Sequence, residues 1–158
     1  MNVGGKHIVP NEVMLNEVSR MINEGHPVTI KVKGVSMLPF IVGGRDSVRL
    51  INPSHLKAHD IVLAKITDNH YVLHRIVDIT GNQITLMGDG NLKLNESCLV
   101  SDVIGKVDAI VRKDKEISPN ARFERIKVAL WLRLKPFRRW LLAAYRLSNL
   151  HPKLPLLV

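Results

Sequence analysis

A serine hydroxyl acts as a nucleophile at neutral pH only when a neighbouring base takes its proton. Ser36 is placed for that use, in Lys33-Gly34-Val35-Ser36-Met37-Leu38-Pro39-Phe40. The alternating run Val28-Thr29-Ile30-Lys31-Val32-Lys33 before it predicts a half-buried strand. Gly34 ends the alternation, and Pro39 has no backbone N–H to donate. Ser36 therefore stands where a strand gives way to a constrained turn, aimed by a rigid element and exposed by the turn. By itself it reads as a polar loop serine, so a functional reading needs a base and an acid elsewhere.

Of the seven histidines, His74 is the candidate base. It lies mid-strand in phase with Val72 and Ile76, with Leu73 and Val77 on the other face. It therefore points at an apolar surface, either as a core histidine satisfied by a backbone carbonyl or as a base kept neutral near pH 7. A base histidine needs an acceptor on its second ring nitrogen to fix tautomer and orientation. Asp89, in Met87-Gly88-Asp89-Gly90-Asn91, is the expected acceptor, with Asp102 the alternative. A carboxylate between two glycines is also ordinary turn material. Were the base a lysine instead, Lys65 or Lys57 would be the residue to test.

Other patterns point away from other chemistries. His55 and His59 are spaced i, i+4, but no glutamate follows the first, so the pair reads as a solvated turn rather than a metal site. Cys98 has no CxxC partner and reads as a packing residue. Neither GxGxxG nor GxxxxGK[ST] occurs, which leaves nucleotide phosphate binding without support. No cofactor and no metal is expected.

The elements that must hold these residues are mostly strands. A helix is expected over 11–24, with Val13, Met14, Val18, Met21 and Ile22 on one face and Gly25-His26-Pro27 as its stop. Strand-like runs follow at 28–33, 46–51, 60–66, 71–79, 82–87 and 103–111, separated by Gly43-Gly44, Asn52-Pro53, Asp68-Asn69 and Gly81-Asn82. Strands this close, without intervening helices, predict a coiled antiparallel β-structure rather than βαβ units. Residues 121–147 then read as helix, broken or kinked at Pro136, with Ile126, Leu130, Leu134, Phe137, Leu141, Ala144 and Tyr145 on one stripe. The domain expectation is thus a β domain with an N-terminal helix over 1–118 and a basic helical tail over 119–158.

Charge divides the chain at the same point. Residues 1–118 hold 14 Lys/Arg against 13 Asp/Glu, whereas residues 119–158 hold 9 Lys/Arg against Glu124 alone. The tail's cations interrupt every apolar stretch long enough to span a bilayer. Their mixture with Trp131, Phe137 and Trp140 suits a helix lying on an anionic membrane surface; the competing expectation is a helical appendage packed on the domain or on a partner, with its charges solvated. With no basic-then-apolar start visible, the expected location is cytoplasmic or peripherally membrane-associated. Nucleic acid is not an expected partner, since no groove-reading motif accompanies the basic tail.

The boxes together resemble a known family. Ser36-Met37-Leu38-Pro39 is similar to the S-M-x-P box of type I signal peptidases and the related S24/S26 serine peptidases. Tyr71-Val72-Leu73-His74-Arg75-Ile76-Val77 resembles the second box, and Met87-Gly88-Asp89-Gly90-Asn91 the G-D-N box. Asp60-Ile61-Val62-Leu63-Ala64 and Val103-Ile104-Gly105-Lys106-Val107 resemble two further strands of that family, and the likeness spans residues 28–112. The second box carries lysine in bacterial signal peptidases and LexA-like autopeptidases; His74 resembles the Ser–His branch.

The resemblance implies a coiled β-fold, Ser36 as nucleophile, His74 as general base, Asp89 as acidic partner, and cleavage of a signal, leader or exported precursor peptide after a small residue. It also implies an oxyanion site. Gly34 stands where many members carry a hydroxyl, so backbone N–H groups at Gly34, Ser36 and Met37 would serve. Two further departures are the charged helix 11–24 in place of a membrane anchor, and Leu94-Asn95-Glu96 where histidine-type members often carry another aspartate. The alternatives are a catalytically inactive peptide- or membrane-binding module of the same fold, and a self-cleaving regulator.

Overall fold

The computed structural model describes residues 11–68, 70–91, 95–134 and 136–149. Helix α1 (Asn11–Asn23) opens it and buries Leu15, Val18 and Ile22 at helical spacing. Val13 and Met14, expected on the buried face, are exposed, and Leu15 takes the inward position. Gly25, at φ +86°, ends the helix, where His26 N–H donates to the Met21 carbonyl and Gly25 N–H to that of Ile22.

Eight strands follow: β1 (Val28–Lys31), β2 (Ser47–Ile51), β3 (Ile61–Thr67), β4 (His70–Thr80), β5 (Gln83–Met87), β6 (Asn95–Leu99), β7 (Val103–Arg112) and β8 (Lys115–Ile117). They form one antiparallel sheet in the order β1-β2-β7-β3-β4-β5-β6, with β8 paired to β7. The protein is mainly β, as its strand spacing predicts. β6 and β8 were not expected. β6 reads Asn95-Glu96-Ser97-Cys98-Leu99 and buries only Cys98, so it lacks the apolar alternation that marks a strand, and β8 has three residues.

The sheet coils because its register slips at Arg49/Leu50, Leu63/Ala64, Lys65/Thr67 and Ile76/Asp78, and such bulges bend and twist a strand. Coiling lets β3 serve two cores. Ile61 and Leu63 join α1, β2 and β7 in one cluster, while Val62 and Ala64 join Val72, Ile76, Ile84, Leu86 and Cys98 in the other. Burial on both faces explains the near-continuous apolar run of β3.

The tail is two helices, α2 (Arg122–Arg133) and α3 (Arg138–Asn149), divided beside Pro136. Most of the expected stripe lies outside the packed contact. Val128, Trp131, Leu142 and the guanidinium-bearing Arg138 are buried, and Tyr145 lies half-buried beside Leu142, whereas Ile126, Leu130, Leu134, Phe137 and Leu141 are exposed. Trp131 and Leu142 meet Leu38, Phe40 and Val42, the outer side of the turn that carries Ser36. The sequence period showed an apolar row but not which side of each helix would find a partner.

Candidate active site

The Ser36 turn leaves β1 through Val32, whose N–H donates to the Asp46 carbonyl and whose own carbonyl accepts from Gly44 N–H. Gly34 then reverses the chain at φ +83°, a conformation that favours glycine. Gly43 lies against it so closely that a Cβ there would sit 2.2 Å from the Gly34 carbonyl oxygen. The far end of the turn is anchored by Asp46, which is fully buried. Its carboxylate accepts from Val42 N–H (2.9 Å), Arg45 Nε (2.7 Å) and Arg112 Nη2 (2.8 Å). Burial works to raise the Asp46 pKa, but the two guanidiniums and the Val42 N–H hold it well below the ordinary carboxylate range. Sequence reading missed Asp46 and Arg112; their pairing joins residues 66 apart and leaves no local signal.

Ser36 is half-buried at the mouth of a pocket of about 140 Å³ that it shares with His74. Val32, Met37, Ile41 and Val72 supply apolar wall. His74 comes from the middle of β4, 4% exposed. Gly88 sits between the two. A Cβ at Gly88 would lie 2.5 Å from the Ser36 carbonyl oxygen and 3.0 Å from His74 Nε2, so only glycine fits. Gly90 N–H donates to the same Ser36 carbonyl (2.7 Å), which ties the turn after β5 to the serine turn. Among the described residues, no hydrogen bond joins Ser36 Oγ to His74, and the N–H groups of Ser36 and Met37 have no acceptor.

The acid facing His74 is Glu96, from β6. Its Oε2 lies 2.7 Å from His74 Nδ1, on an approach bent away from the in-plane N–H direction, which leaves both atoms short of a formed hydrogen bond. Its Oε1 lies 3.4 Å from Nε2 of the exposed His70. Burial lowers the His74 pKa below the ordinary imidazole value, partly opposed by the attraction of Glu96 and, more weakly, Asp89. The ring is therefore held neutral near pH 7.

Asp89, expected to accept from His74, instead takes Arg75. Arg75 Nε donates to Oδ1 (2.8 Å) and Nη2 to Oδ2 (2.6 Å), with both side chains buried. The reason is strand geometry: successive residues of β4 face opposite sides, so the carboxylate that meets Arg75 is on the wrong side of the strand for His74 Nδ1. The Asp89 carbonyl accepts from Trp131 Nε1 (2.9 Å), which fastens the 88–91 turn to α2. Asp102 accepts from Leu99 N–H (2.9 Å) in the short turn before β7. Lys65 pairs with Asp68, and neither it nor Lys57 lines the Ser36 pocket. The spacing Leu94-Asn95-Glu96 was the only sequence signal for Glu96, and it rested on a strand too polar to be recognised.

No family model and no curated protein matches this chain.

Proposed function

We propose that this protein is a serine endopeptidase of the signal-peptidase type, with Ser36 as nucleophile and His74 as general base. The observation that carries the reading is that Ser36 and a histidine kept neutral by burial, 38 positions further on, line one small pocket. His74 Nε2 takes the Ser36 Oγ proton as the oxygen attacks the scissile carbonyl, and the imidazolium then gives that proton to the leaving amine. Water repeats the cycle on the acyl-enzyme and frees the acid product. The unpaired N–H groups of Ser36 and Met37 face the developing oxyanion. Glu96 takes the orienting and charge-balancing role, and Asp89 holds the turn at 88–91 through Arg75.

The substrate class follows from size. A pocket of about 140 Å³ walled by Val32, Met37, Ile41 and Val72 admits a small side chain only, which supports cleavage after a small residue, as in a signal, leader or exported precursor peptide. Ile41→Ala enlarges the pocket and should shift preference toward larger side chains. The deciding experiment is labelling by a fluorophosphonate probe, followed by peptide mapping. Covalent modification at Ser36, lost in His74→Ala, is the expected result. No modification of the folded wild-type protein would end the proposal and favour a peptide-binding module of the same fold, a reading consistent with the absence of a Ser36–His74 hydrogen bond among the described residues.

A further inference from the structure

The two C-terminal helices use one row each for packing and leave the rest uncovered. On α2 the packed row is Val128 and Trp131. Phe123, Ile126, Leu130 and Leu134 follow on an exposed row, with Phe123 69% and Leu130 56% accessible. On α3, Trp140 is 72% exposed while Leu142 is buried. Monomeric proteins seldom leave such a series of large apolar side chains in water without a use for it.

Beside that row lies a groove of about 870 Å³ between α2 and the loop preceding β3. Its cations are Lys57, His59 when protonated, Arg75, Arg122, Arg125 and Arg133, and no acidic side chain lines it. Arg75 is engaged by Asp89. The other permanent cations, Lys57, Arg122, Arg125 and Arg133, have no acidic partner among the described residues, which include all 14 Asp and Glu side chains. Helical spacing places Arg122, Arg125, Ala129 and Arg133 on the groove side of α2, and Ile126 belongs both to the groove and to the exposed apolar row. An unpaired basic cavity and an exposed apolar row therefore share an edge.

We propose that this groove seats the phosphate headgroup of an acidic phospholipid, with the Phe123–Leu134 row and Trp140 entering the acyl boundary beside it. A free phosphate or a nucleic acid would use the guanidiniums and leave the apolar row in water. An acidic lipid uses both, because its charge and its hydrocarbon are covalently joined across the same boundary. The charge distribution agrees. The +8 of residues 119–158 against the +1 of residues 1–118 orients the molecule with this face toward an anionic surface.

The test uses the full chain and vesicles of phosphatidylcholine with or without phosphatidylglycerol. The wild-type protein should sediment with the mixed vesicles at low salt and stay in solution with phosphatidylcholine alone. Of the two tryptophans, Trp131 is buried, so brominated acyl chains should quench Trp140. Arg122→Gln with Arg125→Gln should weaken binding about 25-fold, at roughly fivefold per basic residue near the surface. Lys31→Gln with Lys65→Gln, which removes the same charge from the sheet, should cost less than about threefold. Phe123→Ser with Leu130→Ser should keep the low-salt binding and lose both the salt-resistant fraction and the quenching. Ser36→Ala should bind as wild type, which separates this surface from the peptidase reading. Equal losses in the two charge pairs would overturn the groove as a site. So would binding of glycerol phosphate or an RNA oligonucleotide by protein that ignores the vesicles.

Discussion

His74 and Arg75 are neighbours on β4, each a basic residue facing one carboxylate, and the two pairs are built differently. Arg75 meets Asp89 through two aligned hydrogen bonds, with the guanidinium 5% and the carboxylate 3% exposed. His74 meets Glu96 at one short, bent contact, and the carboxylate stays partly open to solvent and within reach of a second histidine. A bidentate guanidinium–carboxylate pair is permanently charged and geometrically demanding, which suits it to fixing a turn. An imidazole in a dry site, with a single adjustable acceptor, can gain and lose a proton. The difference gives the turn-fixing role to Asp89 and leaves Glu96 facing the histidine.

The largest expected effect lies on the His74 side. Ser36→Ala or His74→Ala should lower peptide turnover by about 10⁴-fold or more, and the double variant should be no worse than either, because the two act as a unit. Far-ultraviolet dichroism should be unchanged. A Ser36→Ala protein that still cleaves would remove the catalytic side of the comparison.

On the Arg75 side the effect should appear in stability. Asp89→Asn leaves a buried guanidinium without its counter-charge, at a cost of about 3–5 kcal/mol, so thermal unfolding should occur roughly 10 °C lower. Arg75→Met with Asp89→Asn, which removes both charges, should recover part of that loss. Equal melting temperatures for Asp89→Asn and wild type would break the comparison.

Glu96→Gln should lower turnover about 10- to 100-fold with little change in melting temperature. It should also move the pH profile. Burial sets His74 below its ordinary value of about 6.5, so the rate should rise with pH through a midpoint under that figure. Glu96 raises the His74 pKa, so its neutralisation should shift the midpoint further toward acid. The linked stability has the opposite sign to that of a paired histidine. Folded His74 binds its proton less readily than unfolded His74, so this contribution is intact above about pH 6.5 and is lost as pH falls below it. His74→Gln should flatten that slope in urea titrations.

The smallest effect belongs to Asp102. Its carboxylate accepts one partly exposed backbone hydrogen bond from Leu99, so Asp102→Asn should cost about 1 kcal/mol or less and leave turnover as in wild type. A loss of turnover there would return the acid role to a residue outside β6.

The legible parts of this chain are those whose information is local. Alternation in 28–33 and 71–79 and the continuous apolar run in 60–66 report one or two buried faces, and Gly25, Gly34 and Gly81 mark reversals at positive φ, so strands and turns could be read directly. The phase of His74 with Val72 and Ile76 likewise follows from the period of two, and the ring is buried with them. Tertiary structure decided what the period cannot express. β6 exists because β5 offers it an edge, not because Asn95-Glu96-Ser97-Cys98-Leu99 prefers to be a strand, and the acid that reaches His74 arrives on it. Two turns at 34–44 and 88–91 became one site where Gly88 and Gly90 lie against the backbone of Val35 and Ser36, a contact that carries no side-chain signature. The tail's amphipathic pattern was plain, yet only packing chose Trp131 and Leu142 as its inner row and left Phe123, Leu130 and Trp140 outside. A sequence records which faces a residue can present; which face meets a partner depends on what the rest of the fold puts there.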